Sequence, residues 1–176
     1  MPGINISRAE ALERSSHLTV ASYDVTIDVT NGEETFIAKT IVKFACNKPG
    51  YDTFVDAVGK RIISATLNGN AVDVSNFDGE SVFLKNLAAS NELVLEIEAI
   101  YSKSGEGLQR SVDPVDNEVY LYSQGETAFI RHMFPCFDQP DLKGTFTLTA
   151  IAPSHWEVIS NNTEKSKSDL GNKKSK

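Results

Sequence analysis

Leu93-Val-Leu-Glu-Ile-Glu-Ala-Ile-Tyr101 is the stretch on which the fold turns. Leu93, Leu95, Ile97, Ala99 and Tyr101 fall on every second position, with Glu96 and Glu98 between them. Only an extended strand with one buried face puts a period of two into register. The same alternation recurs on both sides. Tyr23, Val25, Ile27 and Val29 alternate with Asp24, Thr26, Asp28 and Thr30. Phe36, Ala38, Val42, Phe44 and Cys46 share a face opposite Lys39 and Lys43, and Asn31-Gly32 between the two runs predicts a hairpin. Further strands are expected over Phe54 to Val58, over Ile63, Ala65 and Leu67 up to the turn Asn68-Gly69 with a return through Val72 and Val74, and over Val82 to Leu84. Phe146, Leu148 and Ala150 alternate with threonines until Pro153 closes that strand, and Trp156 to Ile159 starts another. Ser102 to Asn117 has no period and reads as a loop lying over the edge of a cleft or as a surface excursion. A single helix is predicted from the capping box Ser7-Arg-Ala-Glu10 to about Arg14. Many short strands and one helix predict an all-β chain: a β-sandwich or saddle-like pair of mostly antiparallel sheets with one short N-terminal helix.

At 176 residues the chain is long enough to bury a core of its own. Its formal net charge of −7 argues against a nucleic-acid surface, which needs clustered Lys and Arg. No apolar run approaches membrane-spanning length, and Met-Pro-Gly-Ile-Asn at the start lacks the basic and apolar regions of a signal peptide, so no membrane partner and a cytoplasmic location are expected. Cys46 and Cys136 fit no Cys-x-x-Cys pattern and read as reduced, packed thiols.

Chemistry-bearing residues crowd into one place, from Val119-Tyr-Leu-Tyr-Ser-Gln-Gly-Glu126 through Arg131-His-Met-Phe-Pro-Cys-Phe-Asp-Gln-Pro-Asp-Leu-Lys143. A short strand delivers Gln124 and Glu126 at a spacing that period-two geometry points to one face, and the Pro- and Asp-rich stretch beyond makes a rigid corner. An amide and a carboxylate so placed can grip a cation. On pattern alone Glu126 is also readable as a solvated strand-end charge, and Gln124 as an amide that satisfies nearby backbone. His132, Cys136 and Asp138 have zinc-ligating side chains, but His-x-x-x-Cys without a second such pair is an incomplete set, so no metal site is assigned to this chain. Tyr120 and Tyr122, with Phe134 and Phe137, read as core more readily than as an aromatic subsite, although one ring could pack beside a bound side chain, and Arg131 and Asp138 are expected to pair across the corner.

The same residues carry a resemblance to the N-terminal domain of the M1 family of zinc aminopeptidases, the aminopeptidase N group in its actinobacterial form. The matching segments are Gly105-Glu-Gly-Leu, Val112-Asp-Pro-Val-Asp116, Glu118-Val-Tyr-Leu-Tyr-Ser-Gln124, Glu126, and Arg131 through Phe146. Asn5 to Ser16, Ser22-Tyr-Asp-Val25 and Trp156-Glu-Val-Ile-Ser-Asn161 extend it over nearly the whole chain. The resemblance implies that Gln124 and Glu126 bind the free α-amino group and first side chain of a peptide substrate. It also implies that the catalytic residues and the zinc, with its His-Glu-x-x-His motif, belong to a downstream catalytic domain of the same polypeptide, so that this chain holds no catalytic residue and binds no zinc. One departure is local: Thr127-Ala-Phe-Ile-Arg131 has Phe129 where the family commonly has an acid.

Residues 1–160 are accordingly expected to form the M1-type β domain, and the polar, Lys-rich residues 161–176 to be disordered where a longer enzyme is cut. The alternative reading is a stand-alone β-sandwich that binds peptides or a protein partner without catalysis.

Overall fold

The computed structural model describes residues 5–176, so the first four residues of the expected β domain, and most of the opening read for a signal peptide, lie outside the described residues. The chain runs through α1 (Arg8–His17), β1 (Leu18–Asp28), β2 (Thr35–Cys46), β3 (Thr53–Asp56), β4 (Arg61–Leu67), β5 (Asn70–Ala71), β6 (Ser81–Leu84), β7 (Ser90–Ile100), β8 (Gly107–Val112), β9 (Val119–Gln124), β10 (Thr145–Pro153), β11 (Asp169–Gly171) and β12 (Lys174–Ser175). Among the described residues these strands form an eight-stranded sheet in the order β11-β12-β10-β1-β2-β7-β4-β5 and two small sheets, β3-β6 and β8-β9. Every pairing is antiparallel except β1 with β10, which is parallel. Among the described residues the chain forms the expected all-β class with one α-helix.

The helix starts where the capping box puts it. Ser7 Oγ accepts from the Glu10 N–H, and Glu10 Oε2 accepts from the Ser7 N–H at 2.7 Å. It runs three residues past the expected end, to His17, and leads straight into β1. The inner face of the large sheet is the one its alternation predicts: Val25, Phe36, Ala38, Val42, Leu93 and Leu95 are fully buried, with Thr40 filling the gap in β2. Each large apolar side chain there contributes about 1.5–3 kcal/mol relative to exposure. Over this face lie β3, β6 and the corner residues Phe134, Cys136 and Phe137.

Two bulges and several strands depart from the expected pattern; the return after Asn68-Gly69 is the two-residue β5, which ends before Val72 and Val74. The β1–β2 register shifts between Val20 and Ser22, so that Val20 and Tyr23, three apart, both point inward. A shift between Ile62 and Ser64 turns Ile63 out to solvent and lets Ile62 pack on the core in its place. The stretch read as a loop, Ser102 to Asn117, contains β8, which pairs with β9 along its whole length. Trp156 to Ile159 forms no strand; Ile159 is almost fully exposed. The polar end instead carries β11 and β12, a hairpin that joins β10 at Ala152 and Pro153.

Candidate functional site

The site is built at the end of β9. The β8–β9 ladder places Gly107 opposite Gln124, and the strand stops there. Gly107 has φ +66, and a Cβ on it would lie 2.6 Å from His132 Cβ, so only glycine lets β8 approach the turn that follows β9 this closely. Gly125 is similarly crowded by the Ile130 side chain. Beyond Gln124 the backbone closes on itself: the Phe129 N–H donates to the Gly125 carbonyl at 3.1 Å, and a 3-10 turn over Ile130–His132 follows, with the Met133 N–H donating to the Ile130 carbonyl at 2.8 Å.

Gln124 and Glu126 are both exposed, and the structure ties them together: Gln124 Nε2 donates to the Glu126 carbonyl at 3.3 Å. His132 lies half-buried against Gly107, its ring 5.8 Å from that of Phe129. Burial, and then the Arg131 charge, hold its pKa below the ordinary value for histidine. Cys136 is buried, and burial pushes its thiol pKa well up, with the Asp138 and Asp56 charges adding to the effect. Among the described residues no group of three or more His, Cys, Asp or Glu is placed to hold a metal ion, and His132 and Cys136 are not brought into one.

A cleft of about 1010 Å³ runs beside the site, walled by residues that include Ile27, Leu121, Phe134, Phe146 and Trp156. Ser123 lines it, but Gln124 and Glu126 lie outside its wall. Phe134 and Phe137 are core as expected, whereas Tyr120 and Tyr122 are half-exposed on β9. Both line the cleft, and Tyr120 Oη donates to Asp116 Oδ2 at 3.2 Å.

Arg131 and Asp138 form the expected pair, with Arg131 Nε 3.0 Å from Asp138 Oδ2. The reading from sequence missed their third partner. Asp56, on β3, accepts from Arg131 Nη1 at 3.0 Å and from Arg14 Nη2 at 3.0 Å. An acid inside the short apolar run Phe54 to Val58 was the available signal. The role of Gly107 is not legible in the sequence either, because its own strand, β8, carries no period of two.

The comparisons with known proteins agree with this architecture. The family described as the peptidase M1 N-terminal domain matches residues 19–176. Aminopeptidase N of Streptomyces lividans is 41% identical over 165 residues, which cover 92% of this chain and 19% of that protein. Leucyl aminopeptidase of Saccharolobus solfataricus is 31% identical over 61% of this chain and 13% of its own length. The fold is shared with the crystal structure of Legionella pneumophila aminopeptidase A in complex with aspartic acid, at TM-score 0.76 and 19% identity over 90% of this chain and 19% of that one. It is shared as well with an M1 zinc metallopeptidase from Deinococcus radiodurans, at TM-score 0.72 and 22% identity over 90% and 38% of the two chains. The chain thus spans about a fifth or less of the length of these two aminopeptidase sequences. On the match over residues 19–176, the chain belongs to the peptidase M1 N-terminal domain family.

Proposed function

We propose that this chain is the substrate-recognition domain of a zinc-dependent aminopeptidase that releases N-terminal residues from peptides. Glu126 receives the α-ammonium of the substrate, and Gln124 orients that group or borders the first side chain. What supports the reading is that both side chains are exposed at a closed turn, where Gln124 Nε2 holds the Glu126 main-chain carbonyl, in a chain of this family. An aminopeptidase has to distinguish a free ammonium from an internal amide. A carboxylate partly dehydrated by the bound peptide does so through a charge-assisted hydrogen bond of about 1.5–3 kcal/mol. Gln124 adds a neutral acceptor and donor beside it.

In this reading the metal and the groups that cleave the peptide bond belong to the catalytic domain of a longer polypeptide. Cys46 and Cys136 are buried free thiols, which suits a reducing compartment and supports a cytoplasmic enzyme.

The test is a substrate pair assayed with the full-length polypeptide, an aminoacyl amide and its N-acetylated form, with zinc content measured alongside. Hydrolysis of the free amine alone, lost on chelation and restored by zinc, is the expected result. A zinc-loaded polypeptide that cleaves both equally, or neither, contradicts the reading.

A further inference from the structure

The corner behind the candidate site holds four charged side chains that substrate recognition does not use. Asp56 is 3% exposed, and its carboxylate takes three donors: Arg14 Nη2 on Oδ2, Arg131 Nη1 on Oδ1 and the Asp138 N–H on Oδ2, each at 3.0 Å. Asp138 in turn accepts from Arg131 Nε at 3.0 Å and from the Arg131 N–H at 3.2 Å, while the Arg131 carbonyl accepts from the Val58 N–H at 2.9 Å. Asp56 and Cys136 also exchange backbone hydrogen bonds, both at 2.9 Å. Arg131 is therefore held at its N–H, its carbonyl and its guanidinium, the last by two acids from different segments.

Burying four formal charges adds little to stability, because desolvation cancels most of the attraction. What the cluster does deliver is geometry. The planar fork of Arg131 satisfies Asp56 and Asp138 together in one placement, and Lys has no equivalent. Arg131 is the far end of the turn that carries Glu126, and the near end is held by the Gly107–Gln124 pair. A turn clamped at both ends presents its side chains at a fixed height and angle.

We propose that Asp56, acting through Arg131, is a positioning residue that fixes where the Gly125–Arg131 turn presents Glu126 to the peptide ammonium. This rests on the reading of Glu126 given above. Arg14 is the internal contrast: it reaches Asp56 from α1, on the other side of that carboxylate, with its guanidinium 4.3 Å from the centre of the Phe54 ring.

The experiment compares Arg131→Lys with Arg14→Lys in the full-length polypeptide, by urea unfolding and by steady-state kinetics on an aminoacyl substrate. Both variants lose stability. Arg131→Lys alone raises KM, by roughly tenfold, as a displacement of a fraction of an ångström at a recognition group does. Adding Arg131→Lys to Glu126→Ala brings no further loss, since the arginine acts through the carboxylate already removed. Equal KM values in the two lysine variants, or additive losses in the double variant, overturn the proposal. If Arg131→Lys does not fold, Asp56→Asn, which keeps the side chain's shape and removes the charge that Arg131 Nη1 pairs with, gives the same comparison, with Arg14→Lys again as the control. A large loss in Glu126→Ala beside an unchanged Arg131→Lys refutes the positioning role and leaves the Glu126 reading standing; no loss in Glu126→Ala refutes both.

Discussion

Gly107 and Gln124 face each other across the β8–β9 ladder, and the left-handed backbone of Gly107, at φ +66, is what allows His132 to pack directly behind that pair. Gly107→Ala therefore meets two penalties, a strained φ and a Cβ placed 2.6 Å from His132 Cβ. Together these predict a loss of about 2–4 kcal/mol, read as a lower urea midpoint with an unchanged slope. An unchanged midpoint would show that β8 has room to move away from the turn.

Glu98 supplies a pH-dependent term. It is paired with Lys60 Nζ at 2.9 Å and Arg61 Nε at 2.7 Å. The Lys60 hydrogen bond, ahead of that from Arg61, holds its pKa below the ordinary 4.5. The unfolded chain then binds the proton more readily, so the stabilisation is fully present above pH 4.5 and is lost as the pH falls through the lower folded value. Glu98→Gln should be less stable than the parent at neutral pH and should converge with it in acid. Unfolding curves taken across that range check this, and a gap that persists unchanged in acid refutes it.

The apolar cleft predicts how the isolated chain behaves. Phe146 is 50% exposed and Ile159 91%, both at its rim, and such a patch on a separate chain promotes association. Sedimentation should show concentration-dependent self-association, reduced by Phe146→Thr. A monomer at every concentration would mean that the cleft is closed in solution.

The large sheet was readable because its strands are buried on one face, which writes burial into the sequence as alternation. Leu93 to Tyr101 and Phe36 to Cys46 show this directly. Strand β8 was not readable for the same physical reason. Gly107, Leu108 and Gln109 are buried in succession, so no period of two survives. The bulge that expels Ile63 and the parallel pairing of β10 with β1 are set by contacts between distant segments, which local pattern does not encode. Around the candidate site, Arg131 with Asp138 was visible as a short-range ion pair. Asp56 was not, since it joins the corner from 82 residues before Asp138.

The measurement that bears most directly on the account is the kcat/KM of Glu126→Ala in the full-length polypeptide, on an aminoacyl substrate, with zinc content and folding checked in each variant. Removing a charge-assisted contact of about 2–3 kcal/mol predicts a fall of roughly 30- to 150-fold, with a smaller loss in Gln124→Ala, which gives up a neutral hydrogen bond. A zinc-replete, folded Glu126→Ala variant with the parent kcat/KM would show that this carboxylate is only surface charge, and would contradict the account.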